Sequence, residues 1–123
     1  QHTKAANQIA VEGATAAYTE ALIYAEKTGL DPQKMLAAIG AGAAGSWQLT
    51  NMAPRALAGD FAPGFFVKHF IKDMKIVKEE SQKAGVELEM LNTVLSLYEK
   101  MAEHGMENEG TQALIRYYRE EEK

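Results

Sequence analysis

The feature that most constrains this chain is its opening. Residues about 3–28 read as one unbroken helix, with eight alanines among the first 25 positions. At the α-helical rise it would span about 38 Å. Apolar residues occur all round it, at Ile9, Val11, Ala14, Ala17, Tyr18, Leu22 and Ile23. A helix apolar on most sides is expected to be central and buried. Its many small residues let other helices approach closely, and Gly29 is a good stop.

The remaining segments also read as helices, so the expected fold class is all-α. Asp31-Pro32 is an N-cap followed by a first-turn proline, opening a short helix to Ile39. Gly40 to Gly45 reads as a flexible bend. Ser46 can cap a helix over about 47–58, with Pro54 kinking or splitting it. Gly59 to Gly64 is a loop containing Asp60, Pro63 and Gly64. The helix over about 65–84 has an apolar stripe of Phe66, Val67, Phe70, Ile71, Met74 and Val77, and Gly85 ends it. Another runs over about 87–104 with Met90, Leu91, Val94, Leu95, Tyr98 and Met101 inward, and Gly105 ends it. Asn108 or Thr111 starts a last helix through Ile115, Tyr117 and Tyr118, and its tail, Arg119 to Lys123, reads as solvated. There is no internal repeat and no alternating strand pattern.

Bulk properties narrow the function classes. A chain of 123 residues, 46% apolar, is long enough for one domain with a real core. The net charge of -4 argues against nucleic acid as a general partner. With no cysteine there is no disulfide and no thiolate metal site. No apolar stretch approaches the roughly 18 residues of a membrane span, and no signal peptide is visible, so a cytoplasmic protein is expected. The start at Gln1, directly into a helix, suggests a piece of a longer polypeptide. A small protein lacking its first residues is the alternative.

Several groups of residues can carry chemistry. Lys4, Asn7 and Gln8 share one helix face, because positions i, i+3 and i+4 are neighbours. If the helix begins near Thr3, Lys4 lies at the positive end of the helix dipole, where a lysine gains no stability. That field favours the uncharged amine, the form that takes a proton. The face is either a solvated strip or a carbonyl or hydroxyl site, in which lysine passes a proton and the Asn7 amide orients the substrate oxygen. Lys68, Lys72 and Lys75 form a basic strip beside the apolar stripe, either a solvated face or an attractor of anions. Asp73 lies near His69 and Phe70, where it can hold an ordered salt bridge. Trp47, after the glycine-rich bend, is either core or the wall of a pocket. That bend lacks the ending and the preceding strand of a phosphate loop. His2, His69 and His104 show no ligand spacing, and no metal is assigned. Glu79-Glu80 and Glu120 to Glu122 read as charge runs on solvent faces.

Four stretches carry a family resemblance: Gln1-His2-Thr3-Lys4-Ala5-Ala6-Asn7-Gln8, Gly29-Leu30-Asp31-Pro32, Gly59-Asp60-Phe61-Ala62-Pro63-Gly64-Phe65 and Lys72-Asp73-Met74. Together they resemble the C-terminal helical domain of the β-hydroxyacid dehydrogenases. That family includes 3-hydroxyisobutyrate dehydrogenase and 2-hydroxy-3-oxopropionate reductase, and is related to 6-phosphogluconate dehydrogenase. The stretches fall in the family's order over roughly two thirds of the chain.

The resemblance implies a helical bundle with a long central first helix. An N-terminal Rossmann domain, absent here, would bind NAD or NADP. It implies a small hydroxy-acid substrate and a homo-oligomer, dimer or tetramer, with no membrane or nucleic-acid partner. Lys4 matches the catalytic lysine and Asn7 the amide one turn on. Many relatives have asparagine where this chain has Gln8, which keeps the amide but is one methylene longer. Phe65 matches the aromatic residue bordering the active site. Lys72 and Asp73 match the pair near the cofactor and cleft. Ser46 and Trp47 fall on the variable substrate-facing wall. The expected role is a substrate-cleft and oligomerisation domain, inactive alone. A non-enzymatic helical dimerisation module is the competing reading. A small helical ligand-binding regulator is a third, with only the Trp47 region in its favour.

Overall fold

The computed structural model of the chain describes residues 1–121. Its elements are α1 (His2–Thr28), α2 (Pro32–Ile39), α3 (Trp47–Asn51), α4 (Ala53–Leu57), α5 (Val67–Lys83), α6 (Glu89–Glu103), a single 3-10 turn at Thr111–Ala113, and α7 (Leu114–Glu121). There is no strand among the described residues, and the all-α expectation is borne out. Local chemistry sets most boundaries. Gly29 ends α1 at φ +81°, a conformation that costs glycine little. Asp31 accepts from the backbone N–H groups of Gln33 and Lys34, and Ser46 accepts from that of Leu49. Pro54 splits the expected 47–58 helix into α3 and α4.

The chain divides into two compact units. One is Gln1–Gly13 with Pro63–Thr111, and the other is Ala14–Ala62 with the chain from Gln112 onward. In the first unit α5 and α6 are joined by five residues, 84–88, and pack as antiparallel neighbours. Their facing stripes bury Val67, Phe70, Met74 and Val77 against Leu91, Val94, Leu95, Tyr98 and Met101. The Phe70 and Tyr98 rings meet edge to face at 5.0 Å. Phe66, at the N-cap of α5, supplies no capping side chain. The backbone replaces it, since the N–H groups of Val67 and Lys68 donate to the carbonyls of Glu109 and Glu107. The Thr111 N–H donates to the carbonyl of Phe65, which pins the chain two residues before α5.

The second unit builds its core from Tyr18, Leu22, Ile23, Leu49, Met52, Ala53, Ala56 and Ile115. The loop after α4 is clamped from two sides. Arg55 bonds the Asp60 carboxylate at 3.1 Å and the Ala62 carbonyl at 2.8 Å. The buried Gln112 donates to the carbonyls of Asp60 and Ala62, each at 2.9 Å.

Several expectations are corrected. The first helix is not buried throughout, because none of residues 1–11 is buried in this chain. Met90 is exposed, not inward. It lies in the first turn of α6, and helical side chains lean toward the N-terminus, here past the end of α5. Trp47 is 67% exposed, because it opens α3 on the side away from Leu49, the buried residue of that helix. The Gly40–Gly45 bend is tightly wound. Successive turns bond Gly42 to Ile39 and Gly45 to Gly42, and a Cβ on Gly45 would stand 2.4 Å from the Gly40 carbonyl oxygen. Arg119 is not simply solvated, since it pairs with Glu26. Glu122 and Lys123 of the expected tail lie outside the described residues.

Candidate active-site cleft

The Gln1 side chain accepts from the backbone N–H of Thr3 at 2.8 Å, so Lys4 stands in the first turn of α1. One turn on, Asn7 Nδ2 donates to Gln8 Oε1 at 3.0 Å. Gln8 Nε2 in turn donates to Asp73 Oδ2 at 3.1 Å, across 65 positions of sequence. The amphipathic stripe of α5 decides why Asp73 is the residue reached. Phe70, Met74 and Val77 are buried, and Asp73 sits at the stripe's margin, half-buried. Its ordered partner is therefore a neutral amide rather than the salt bridge expected from sequence.

Lys4, Gln8 and Asp73 border a half-open cleft of about 200 Å³, and Asn7 stands exposed beside it without lining it. Gln1, Lys4, Ala5 and Gln8 line one side, and Asp73, Ile76 and Val77 line the other. An amine, an amide and a carboxylate thus share one small space with apolar walls. The arrangement can hold a small polar molecule and exchange a proton with it.

The other expected site residues fall in different places. Phe65 is 38% exposed just ahead of α5, with its ring edge-on to Phe70 at 5.8 Å. Lys72 is exposed beside Asp73. Within the basic strip, Lys68 lies over the Phe66 ring and Lys75 pairs with Glu99 at 3.6 Å. Ser46 and Trp47 belong to the other unit. The Ser46 hydroxyl is engaged as the cap of α3, and Ser46 lines a separate hollow with Ala14, Tyr18 and Ala44.

Two polar residues were missed. Glu12 is only 2% exposed, and burial pushes its carboxyl up to about 7. Its Oε2 has no hydrogen-bond partner among the described residues. The available signal was spacing, because Lys4, Gln8 and Glu12 repeat every four residues along one face. Arg55 was the second. Together with the Ala62 N–H, it holds the Asp60 carboxyl below the usual range, and it lay outside every motif considered.

Comparison with known proteins decides the family. Residues 1–118 match the family described as NAD-binding of NADP-dependent 3-hydroxyisobutyrate dehydrogenase. The chain belongs to this family. The resemblance read from the four sequence stretches is thereby borne out. Among relatives, the uncharacterized oxidoreductase YkwC of Bacillus subtilis is 51% identical, over 96% of this chain and 41% of its own length. A probable 3-hydroxyisobutyrate dehydrogenase-like protein of Arabidopsis thaliana, named as mitochondrial, is 44% identical over 94% of this chain and 34% of its own. The chain therefore spans about two fifths or less of these relatives. A crystal structure of 3-hydroxyisobutyrate dehydrogenase from Salmonella typhimurium shares the fold, with a TM-score of 0.88 at 24% identity over 94% of this chain and 41% of that one. No helix among the described residues is long and apolar enough to cross a membrane.

Proposed function

We propose that this chain is the C-terminal helical domain of an NAD(P)-dependent β-hydroxyacid dehydrogenase, with Lys4 as its general acid and base. The observation that carries the reading is the meeting of Lys4, Gln8 and Asp73 in one small cleft, in a chain of this family. The cleft is smaller than the ~300–1,000 Å³ of pockets that enclose a drug-sized ligand. It suits a small hydroxy acid beside one end of a cofactor, not a whole dinucleotide. Most cofactor contacts therefore belong to a preceding dinucleotide-binding domain, and this chain alone is inactive. Lys72 is the group offered to cofactor phosphate or ribose. Phe65 borders the reacting end.

When bound, the nicotinamide supplies or accepts the hydride. In reduction, Lys4 as an ammonium donates its proton to the carbonyl oxygen and stabilises negative charge developing there. In oxidation, neutral Lys4 takes the hydroxyl proton. Asn7 holds a polar group of the substrate from an orientation that Gln8 sets, while Ile76 and Val77 restrict water. The proposed assembly is a homo-oligomer, and the proposed compartment is the cytoplasm.

Lys4→Ala in the complete enzyme tests this reading. Turnover with small β-hydroxy acids or their semialdehydes should fall at least ~100-fold, the low end for general acid–base catalysis, with substrate KM little changed. Near-normal turnover would remove Lys4 from the mechanism. The open front of α1 also favours a second reading, a non-enzymatic docking or dimerisation module. No turnover with any substrate and cofactor pair, together with a stable oligomer, would select it.

A further inference from the structure

We propose that Asp73 is a positioning residue. Acting through Gln8, it fixes which end of the Asn7 amide faces the substrate. The inference rests on the reading of Lys4 as the proton-transferring group, and it replaces the role of cofactor contact expected for Asp73.

The argument follows from what each group can donate. A carboxylate only accepts hydrogen bonds, whereas an amide has a donating end and an accepting end. Asp73 Oδ2 meets Gln8, so the Gln8 –NH₂ must face it, as it does at 3.1 Å. That turns Gln8 Oε1 the opposite way, where it can only accept. Asn7 Nδ2 donates to it at 3.0 Å. Asn7 Oδ1 is then the end turned away from Gln8. One carboxylate thus sets the orientation of two amides in series, and the outer one presents an acceptor. That acceptor suits a donor on the ligand, a hydroxyl, on the helix face that carries Lys4.

The bond runs from α1 to α5. Without the carboxylate, both orientations of Gln8 become acceptable, and Asn7 loses its fixed partner. Orientation of this kind affects turnover more than binding, because small displacements of a catalytic constellation are felt in the transition state.

The test uses the complete polypeptide and two variants, Asp73→Asn and the exchange Asp73→Asn with Gln8→Glu. The single variant keeps the shape of Asp73 but lets residue 73 donate or accept. The exchange keeps the net charge of the cleft and restores a one-way chain, with residue 73 donating, residue 8 accepting from both sides, and Asn7 still donating. The expected result is a fall in kcat of about tenfold for Asp73→Asn, with cofactor KM within about twofold of wild type. The exchange should recover kcat to within about threefold. An unchanged kcat, or a raised cofactor KM at unchanged kcat, overturns the proposal, as does an exchange no better than the single variant. A second readout does not need activity. In Asp73→Asn the side-chain amide proton–nitrogen signals of both Gln8 and Asn7 should move. Movement at Gln8 alone breaks the chain. If the wild-type polypeptide reduces or oxidises no substrate, the reading of Lys4 fails separately, and the amide signals alone decide the role of Asp73.

Discussion

From Gln1 to Val11 the first helix buries no side chain, whereas from Glu12 to Ala25 it buries Glu12, Thr15, Tyr18, Thr19, Leu22, Ile23 and Ala25. Both stretches are alanine-rich and both are helical. Their difference lies in what surrounds them. The rear packs into a core built with α3, α4 and α7. The front meets α5 along a cleft edge, through Gln8 and Asp73. One helix therefore carries a half that stabilises this chain and a half that is available for chemistry. Mutations in the two halves should separate activity from stability.

Lys4→Ala is the strongest probe of the front. Its loss of at least ~100-fold in turnover should come with an unfolding midpoint close to wild type, because nothing is buried at that position. A large drop in the midpoint would erase the distinction. Leu22→Ala probes the rear. Leu22 is fully buried, and leucine-to-alanine changes in cores cost about 2–5 kcal/mol. Urea unfolding of this chain should show that loss, and a change under ~1 kcal/mol would mean the rear is not the core it looks to be.

Glu12 marks the border between the halves and sharpens the comparison through pH. Its carboxyl titrates at about 7 when folded, against 4.5 for the ordinary group. The folded state therefore holds a proton that the unfolded chain has already lost between those pH values. Stability from this group is fully present below about 4.5 and declines as pH rises to about 7, by at most ~3 kcal/mol. Glu12→Gln should remove that decline and raise stability at pH 8 more than at pH 5. Equal changes at both pH values would show that the Glu12 charge is not what burial opposes. Trp47→Ala should have the smallest effect on folding, within about 0.5 kcal/mol, since surface substitutions away from caps and networks are nearly neutral. A larger loss would show that the exposed ring packs on something essential.

Much of the fold was legible because its signals are local. Asp31, Ser46, Pro54 and Gly29 act within a turn or two of themselves, so their capping, splitting and stopping could be read from neighbours. The stripe of α5 likewise follows from spacing alone. The site was legible in part. The face shared by Lys4, Asn7 and Gln8 is a property of one helix, but Asp73 stands 65 positions from Gln8 and no local pattern joins them. Burial was the least legible. Trp47 and Met90 are apolar and sit in helices, yet both lie outward, because burial depends on what the neighbouring elements cover.

The residue order alone determined an all-α chain, most of its helix caps and stops, its family and the face that bears Lys4, since each depends on backbone preferences, periodicity or motif order. Only the tertiary structure decided which half of α1 would be buried, that Gln8 would bridge to Asp73, and that Glu12 would lose contact with water. Those outcomes come from the packing of segments distant in sequence, where the helix that happens to lie opposite sets the solvation of each side chain.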